Sequence, residues 1–258
     1  MKPAVPDWNP ETYARFRGLR LRPALDLLAQ VASVPDGAIY DLGCGNGAAG
    51  EALTTRYPRR VEGVDASPSM LAKAGETGCY AALHEADISD WSVKDASMIF
   101  SNAALQWLPD HAHLLPRLAA MLAPGGVMAV QMPRNHMAPS HRFLRDIAAA
   151  MFPDRFNFAS YEASVATAAG YWQLLAPMGT VHAWETEYIQ HLAPTPIGHP
   201  VRAFTESTAM RPFVEKLTTD EELAFSAAYD AALGAAYPLL PDGAALFPFR
   251  RVFFTLKV

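Results

Sequence analysis

Apolar and polar positions in the first half of the chain alternate between two periods. Over 21–31, Ala24, Leu25, Leu28 and Val31 fall at helical spacing. Short apolar runs follow at 37–42 (GAIYDL), 61–64, 80–85, 96–101 (ASMIFS) and 127–132, and each reads as a strand. Helices are expected between them. One covers 48–57. A second opens at Ser67-Pro68, with serine as the cap and proline in the first turn. A third covers 113–122 and is broken by Pro124-Gly125-Gly126. Strands separated by helices of this length imply a parallel sheet with helices on both faces and right-handed crossovers.

After Pro133 the rhythm changes. Helical patterns cover 140–151 and 161–176, an alternating strand pattern covers 181–192, and 194–241 is helical and punctuated by prolines, with one clear helix over 220–237. The last strand is expected over 250–258. The organisation read from this is an N-terminal segment (1–20), a core (21–133), a cap insertion (134–160), a core helix and strand (161–193), a helical cap (194–246) and a last core strand (247–258). A cap of this kind is expected over the carboxyl edge of the sheet, where open α/β folds bind ligands.

Composition narrows the choice. With 258 residues, 51% hydrophobic, the chain is no disordered polymer. A net charge of −5 without a basic run gives no footprint for nucleic acid. Two cysteines, Cys44 and Cys79, exclude a disulfide framework or a zinc cluster, so no metal is expected. They also fit a reducing, cytoplasmic compartment. The first ten residues contain no apolar signal-peptide core. The longest charge-free stretch, 163–184, is interrupted by Gly170, Gln173, Pro177, Gly179 and His182, so no membrane span is expected. Sixteen of the 21 basic residues are arginine, a side chain whose planar fork matches carboxylates.

The sharpest local signal is Asp41-Leu42-Gly43-Cys44-Gly45-Asn46-Gly47, between a strand and a helix. Glycines there permit a tight turn and close approach to a ligand, and the following helix start offers free N–H groups. Two cofactor classes compete. Gly43, Gly45 and Ala48 satisfy the looser dinucleotide form, G-x-G-x-x-A. Asp65, at the end of the second strand, suits ribose hydroxyls in either class. Asp41 tips the balance, because a carboxylate two residues before the first glycine repels a pyrophosphate and welcomes a cationic ligand. Asp87, after the third strand, is placed to accept from an adenine amino group. The fourth strand ends in Ser101-Asn102-Ala103-Ala104-Leu105-Gln106-Trp107.

In this combination, residues 20–135 resemble the class I S-adenosylmethionine-dependent methyltransferases. The resemblance implies a Rossmann-like α/β fold, with a seven-stranded, mostly parallel sheet. Its last strand, over 250–258, runs antiparallel beside 181–192. It also implies that Gly43, Gly45 and Asn46 line the methionine part of the cofactor. Asp41 neighbours its ammonium group, and Asp65 takes the ribose, with Ala66 and Met70 near the adenine. Asp87 and Ile88 hold the adenine, Asn102, Ala103 and Gln106 face the sulfonium, and Arg22 can serve the cofactor's carboxylate.

Within that family the closer resemblance is to enzymes that esterify trans-aconitate. It is carried by Asp7-Trp8-Asn9-Pro10 with Tyr13, Arg22-Pro23-Ala24, the 101–111 loop, Val130-Gln131-Met132-Pro133 and Arg211-Pro212. It implies a small polycarboxylate acceptor. A carboxylate is already ionised at neutral pH and needs no general base, so no catalytic side chain is assigned. Its remaining carboxylates need cations, and Arg22, Arg211 and Arg250 are the candidates. Trp8, Tyr13, Trp107, His111 and His136 are candidate acceptor contacts, with Trp8 and Tyr13 forming a lid. Two alternatives stay open. One is a different acceptor with His111 or His136 as base. The other is a nicotinamide-dependent oxidoreductase.

Overall fold

The computed structural model describes residues 17–158, 163–206 and 208–258, with side chains from residue 21. Trp8 and Tyr13 therefore lie outside the described residues. Among the described residues, the chain divides into two compact units. One contains the residues up to Pro133, with 164–186 and 251–258. The other contains 134–163 and 187–250.

A single seven-stranded sheet has the order β3-β2-β1-β4-β5-β7-β6. Its strands are β1 (Ile39–Leu42), β2 (Val61–Asp65), β3 (Ala82–Glu85), β4 (Ala96–Asn102), β5 (Leu122–Pro133), β6 (Thr180–Leu192) and β7 (Ala245–Lys257). β1 and the first six residues of β4 are buried throughout, as are the first four residues of β2. That is why β1 and β4 read as near-continuous apolar runs rather than alternating ones, whereas β2 also buries Glu62, which pairs with Arg60 and His84. β3, at one edge, is only half-buried. β1 runs parallel to both β2 and β4, β2 to β3, and β4 to β5. β7 runs antiparallel to β5, pairing Val127 with Lys257 and Met132 with Val252. The chain reverses strand order at β1/β4, the crevice where open α/β sheets bind ligands. Parallel register brings the ends of β1, β2 and β4, and so Asp41, Asp65 and Asn102, to the same edge.

The helices of this unit are α1 (Arg17–Ala29), α2 (Gly50–Arg56), α3 (Pro68–Glu76), α4 (His111–Ala119) and α6 (Ala168–Leu175). α3 starts as its sequence requires: Ser67 Oγ accepts from Met70 N–H at 3.3 Å, and Pro68 occupies the first turn. The other unit holds α5 (Pro139–Met151), α7 (Pro200–Glu206), α8 (Arg211–Val214) and α9 (Thr219–Ala236). α9 begins with a reciprocal cap between Thr218 and Glu221. α5 and α9 are tied by Tyr229, whose hydroxyl donates to the Ser140 carbonyl at 2.6 Å.

Several expected boundaries move. β5 begins at Leu122 and runs through Pro124-Gly125-Gly126 instead of starting after them. Gly125 N–H donates to Val258 O (2.9 Å), and Val258 N–H donates to Gly126 O (3.1 Å), so the neighbouring strand satisfies the backbone that the turn residues left doubtful. β7 begins at Ala245 and accommodates Pro248. The helix expected over 161–176 is described from Ala168, where the Thr167 side chain caps it by accepting from Gly170 N–H. Among the described residues, no helix is long and apolar enough to cross a membrane.

Candidate functional site

At the carboxyl ends of β1 and β2 the backbone is held tightly. Val64 O accepts from both Gly43 N–H (2.7 Å) and Cys44 N–H (3.1 Å), which turns the chain sharply as it leaves β1. Gly43 has φ +72°, and a Cβ built there would lie 2.1 Å from the Ala104 methyl carbon. The glycine thus lets the loop after β4 press directly on the loop after β1. At Gly45 (φ +55°) an added Cβ would meet no atom within 4 Å, so the backbone there borders open space. Asp65 fixes the loop's position by accepting from Gly45 N–H with Oδ2 and from Ser67 N–H with Oδ1, both at 2.9 Å. Burial pushes the Asp65 carboxyl up, and these backbone donors oppose that shift. Ala66 is half-buried beside it, and Met70 is buried on α3.

Asp41 is fully buried and accepts from the Tyr80 hydroxyl at 2.7 Å. Burial raises its carboxyl to about 7, against the lowering effect of that hydrogen bond. Asp87 accepts from the Ser89 N–H (2.8 Å) and hydroxyl. The turn behind it is clamped by Arg117 of α4, which donates to the carbonyls of Ile88 (2.7 Å) and Trp91 (2.5 Å). After β4, Ala103 adopts a left-handed conformation (φ 55°) that a non-glycine residue rarely takes. Its N–H donates to Gln131 O (2.9 Å), and its carbonyl accepts from Gln106 Nε2 (2.7 Å). Two buried acceptor atoms at this turn, Asn102 Oδ1 and Gln106 Oε1, have no donor among the described residues. The result is a recess rich in acceptors and carboxylates, suited to a cationic ligand with hydroxyl and amino groups. Asp41, Asp65 and Asn102 lie at the ends of β1, β2 and β4, and Gly43, Gly45, Asn46, Ile88, Ala103 and Gln106 lie in the segments that follow β1, β3 and β4.

Two expected residues behave otherwise. Arg22 is mostly exposed on α1, with Nε 3.9 Å from Asp26 Oδ2 one turn on. His111 is buried, and both its ring nitrogens are taken. Nε2 donates to Leu105 O (2.9 Å), and Nδ1 accepts from Tyr171 O–H (2.6 Å). With both nitrogens engaged, His111 offers no free base to the alternative reading with a different acceptor. Trp107 is 54% exposed on the turn Leu105–Trp107.

In the second unit, a cavity of about 320 Å³ is lined by Arg134, Asn135, His136, Glu187, Tyr237 and Arg250, among others. Backbone and side chain tie its walls together: Arg134 N–H donates to Arg250 O (2.9 Å), and Arg250 N–H donates to Asn135 Oδ1 (2.7 Å). Arg250 Nη2 lies 3.6 Å from Glu187 Oε2, a loose and half-exposed pair. Arg211 instead pairs with Glu215 of its own helical turn, with Nε 2.7 Å from Oε1. Arg134 and Tyr80 were not singled out from the sequence. Arg134 is one of sixteen arginines, distinguished only by its place directly after a buried strand.

The model of the methyltransferase domain family matches residues 39–126, the segment that carries this acceptor-rich recess. A trans-aconitate 2-methyltransferase from Paracidovorax citrulli is 40% identical across 97% of this chain and 98% of its own length. Another from Methylobacterium nodulans is 41% identical over the same shares. The chain belongs to the trans-aconitate 2-methyltransferase family. Solved structures agree on the fold of such methyltransferases. The Bacillus subtilis YcgJ protein matches 92% of this chain and 98% of its own, with TM-score 0.57 and 14% identity. A phosphoethanolamine N-methyltransferase from Haemonchus contortus, solved in complex with S-adenosyl-L-methionine, matches 92% of this chain and 52% of its own, with TM-score 0.52 and 16% identity.

Proposed function

We propose that the protein transfers a methyl group from S-adenosylmethionine to a carboxylate of trans-aconitate, giving the monomethyl ester. The observation that carries this reading is the near full-length identity to relatives named for that activity. The recess beside the glycine loop fits the cofactor. Gly45 borders open space, Asn102 and Gln106 present buried acceptors without donors, and the charged groups at the strand ends are acids. Asp65 would hold the ribose side, Ala66, Met70, Asp87 and Ile88 the adenine, and Gly43, Gly45, Asn46 and Asp41 the amino-acid part. When bound, the cofactor supplies an electrophilic methyl on a positively charged sulfur.

The chain's own residues then have three tasks: to bind, to orient and to exclude water. An ionised carboxylate needs no base, consistent with the lack of a free nitrogen on His111. Positioning two bound reactants can be worth about 7–11 kcal/mol of barrier. For the acceptor we propose Arg134 and Arg250, with His136, in the cavity of the second unit. Two guanidiniums can bind carboxylates through paired N–H groups. The Arg250–Glu187 pair, half-exposed and loose, is one that a ligand carboxylate can displace. The residues 134–160 and 194–246 are in this reading the acceptor-binding part of the chain. Two free thiols, Cys44 and Cys79, support a reducing, cytoplasmic location. The acidic net charge supports a small-molecule partner rather than nucleic acid or membrane.

The test is methyl transfer from radiolabelled S-adenosylmethionine to trans-aconitate. A base-labile methyl ester is expected, and none above background would end the reading. If label moves to other small acceptors but not to trans-aconitate, the donor survives and the acceptor does not.

A further inference from the structure

We propose that Tyr80 is a positioning residue for the methyl donor: its hydroxyl holds Asp41, and its ring supports the glycine loop from beneath. The proposal rests on the donor reading above. Tyr80 lies just before β3, and its partner Asp41 lies 39 residues earlier on β1, so the contact exists only in the folded sheet. The ring occupies space that side chains would otherwise fill. A Cβ at Gly50 would lie 3.0 Å from Tyr80 Cε2 and Cζ, and one at Gly47 would lie 3.2 Å from Cε2. The same side chain therefore props the turn from Gly47 to Gly50 and orients the one fully buried acid next to it.

That arrangement governs the charge of Asp41. The groups facing it are Tyr80 from the loop before β3, Asp65 from β2 and Cys44 from the glycine loop, with Cys79 behind Tyr80. On the β4 side the neighbouring Ser101 is neutral and donates to Leu42 O instead. None of these groups is a cation. The hydroxyl donated by Tyr80 is thus the named contact that favours the carboxylate over the acid, while burial and Asp65 favour the acid. Burial and the Asp41 carboxylate keep the phenol itself un-ionised. A cationic ammonium group is attracted far more strongly by the ionised form of Asp41 than by the acid.

The experiment measures S-adenosylhomocysteine binding by calorimetry between pH 6 and 8.5, without acceptor and without turnover. Wild-type affinity should weaken as pH falls through about 7. Tyr80→Phe keeps the ring and removes the donor. It should bind about tenfold more weakly at pH 7, with the weakening moved to higher pH and most of the affinity regained at pH 8.5. Tyr80→Phe that matches wild type in affinity and pH profile overturns the proposal. So does a lower melting temperature with an unmoved pH profile, which would mark a packing role alone. If Tyr80→Phe does not fold, Asp41→Asn serves: its binding should be flat across pH 7, and a persisting dependence overturns the proposal. Wild-type protein that fails to bind S-adenosylhomocysteine at any pH refutes the donor reading instead.

Discussion

Replacing Gly43 by alanine tests how the loops after β1 and β4 meet. The new methyl carbon would sit 2.1 Å from the Ala104 Cβ, and the residue has φ +72°. Carbon atoms prefer about 3.5–4.0 Å, so one loop must give way by more than an ångström. Forcing a methyl into a packed site costs about 1–3 kcal/mol. The left-handed backbone costs a non-glycine residue about 1–2 kcal/mol more. Gly43→Ala should therefore destabilise the protein by roughly 2–5 kcal/mol, read as a lower urea midpoint at unchanged slope. The two parts separate in a double variant. Gly43→Ala/Ala104→Gly removes the overlap but not the backbone cost, so it should regain about 1–3 kcal/mol and stop short of the parent carrying Ala104→Gly alone. The packing argument fails if Gly43→Ala stays within about 0.5 kcal/mol of wild type, the ordinary range for a substitution without a mechanism. It fails equally if the double variant is no more stable than the single.

Three further outcomes follow from the same geometry. Asp65→Ala removes the acceptor of the Gly45 and Ser67 N–H groups and of the proposed ribose contact, so S-adenosylhomocysteine affinity should fall by about 10–100-fold; unchanged affinity by calorimetry would refute it. Arg134→Lys and Arg250→Lys should each raise the KM for trans-aconitate about tenfold while leaving cofactor affinity alone, because lysine lacks the fork. Arg211→Lys, at a residue already paired with Glu215, should change neither. A KM effect at Arg211 and none at the other two would reverse the assignment. Finally, Asp41 keeps its proton in the folded protein up to about 7, whereas an unfolded carboxyl loses it near 3.8. Its contribution to stability is full below about 4 and is lost as pH rises through about 7. Asp41→Asn should thus match wild type near pH 4 and exceed it by about 2–4 kcal/mol at pH 8, in the absence of ligand. Equal stability at pH 8 would show that the carboxyl ionises freely.

The local part of the fold was legible because it is written locally. Ser67-Pro68 caps and starts α3 from adjacent residues. Asp41 and Asp65 announce themselves as acids at the ends of apolar runs. What the sequence hid depends on contacts made far along the chain. Pro124-Gly125-Gly126 reads as a break until residue 258 arrives to pair with it. His111 reads as a candidate ligand until Tyr171, 60 residues later, takes one nitrogen. Tyr80 reads as the first residue of a strand, because its hydrogen bond to Asp41 has no local signature. Arg134 was invisible for a different reason: one arginine among sixteen gains meaning only when a cavity gathers it with Arg250.

The strand order also dictates a timetable for synthesis. β6 stands at the edge of the sheet, and its sheet neighbour is β7. About fifty residues separate the end of β6 at Leu192 from the start of β7 at Ala245. At about 5–20 residues per second, a ribosome needs roughly 3–10 seconds to supply the partner. For that interval thirteen residues of strand-forming sequence stand without the neighbour that the sheet assigns them. Polar groups are spaced along the segment, at His182, Glu185, Glu187 and His191. They interrupt its apolar residues, a pattern that makes an unpaired strand a poorer template for a second copy.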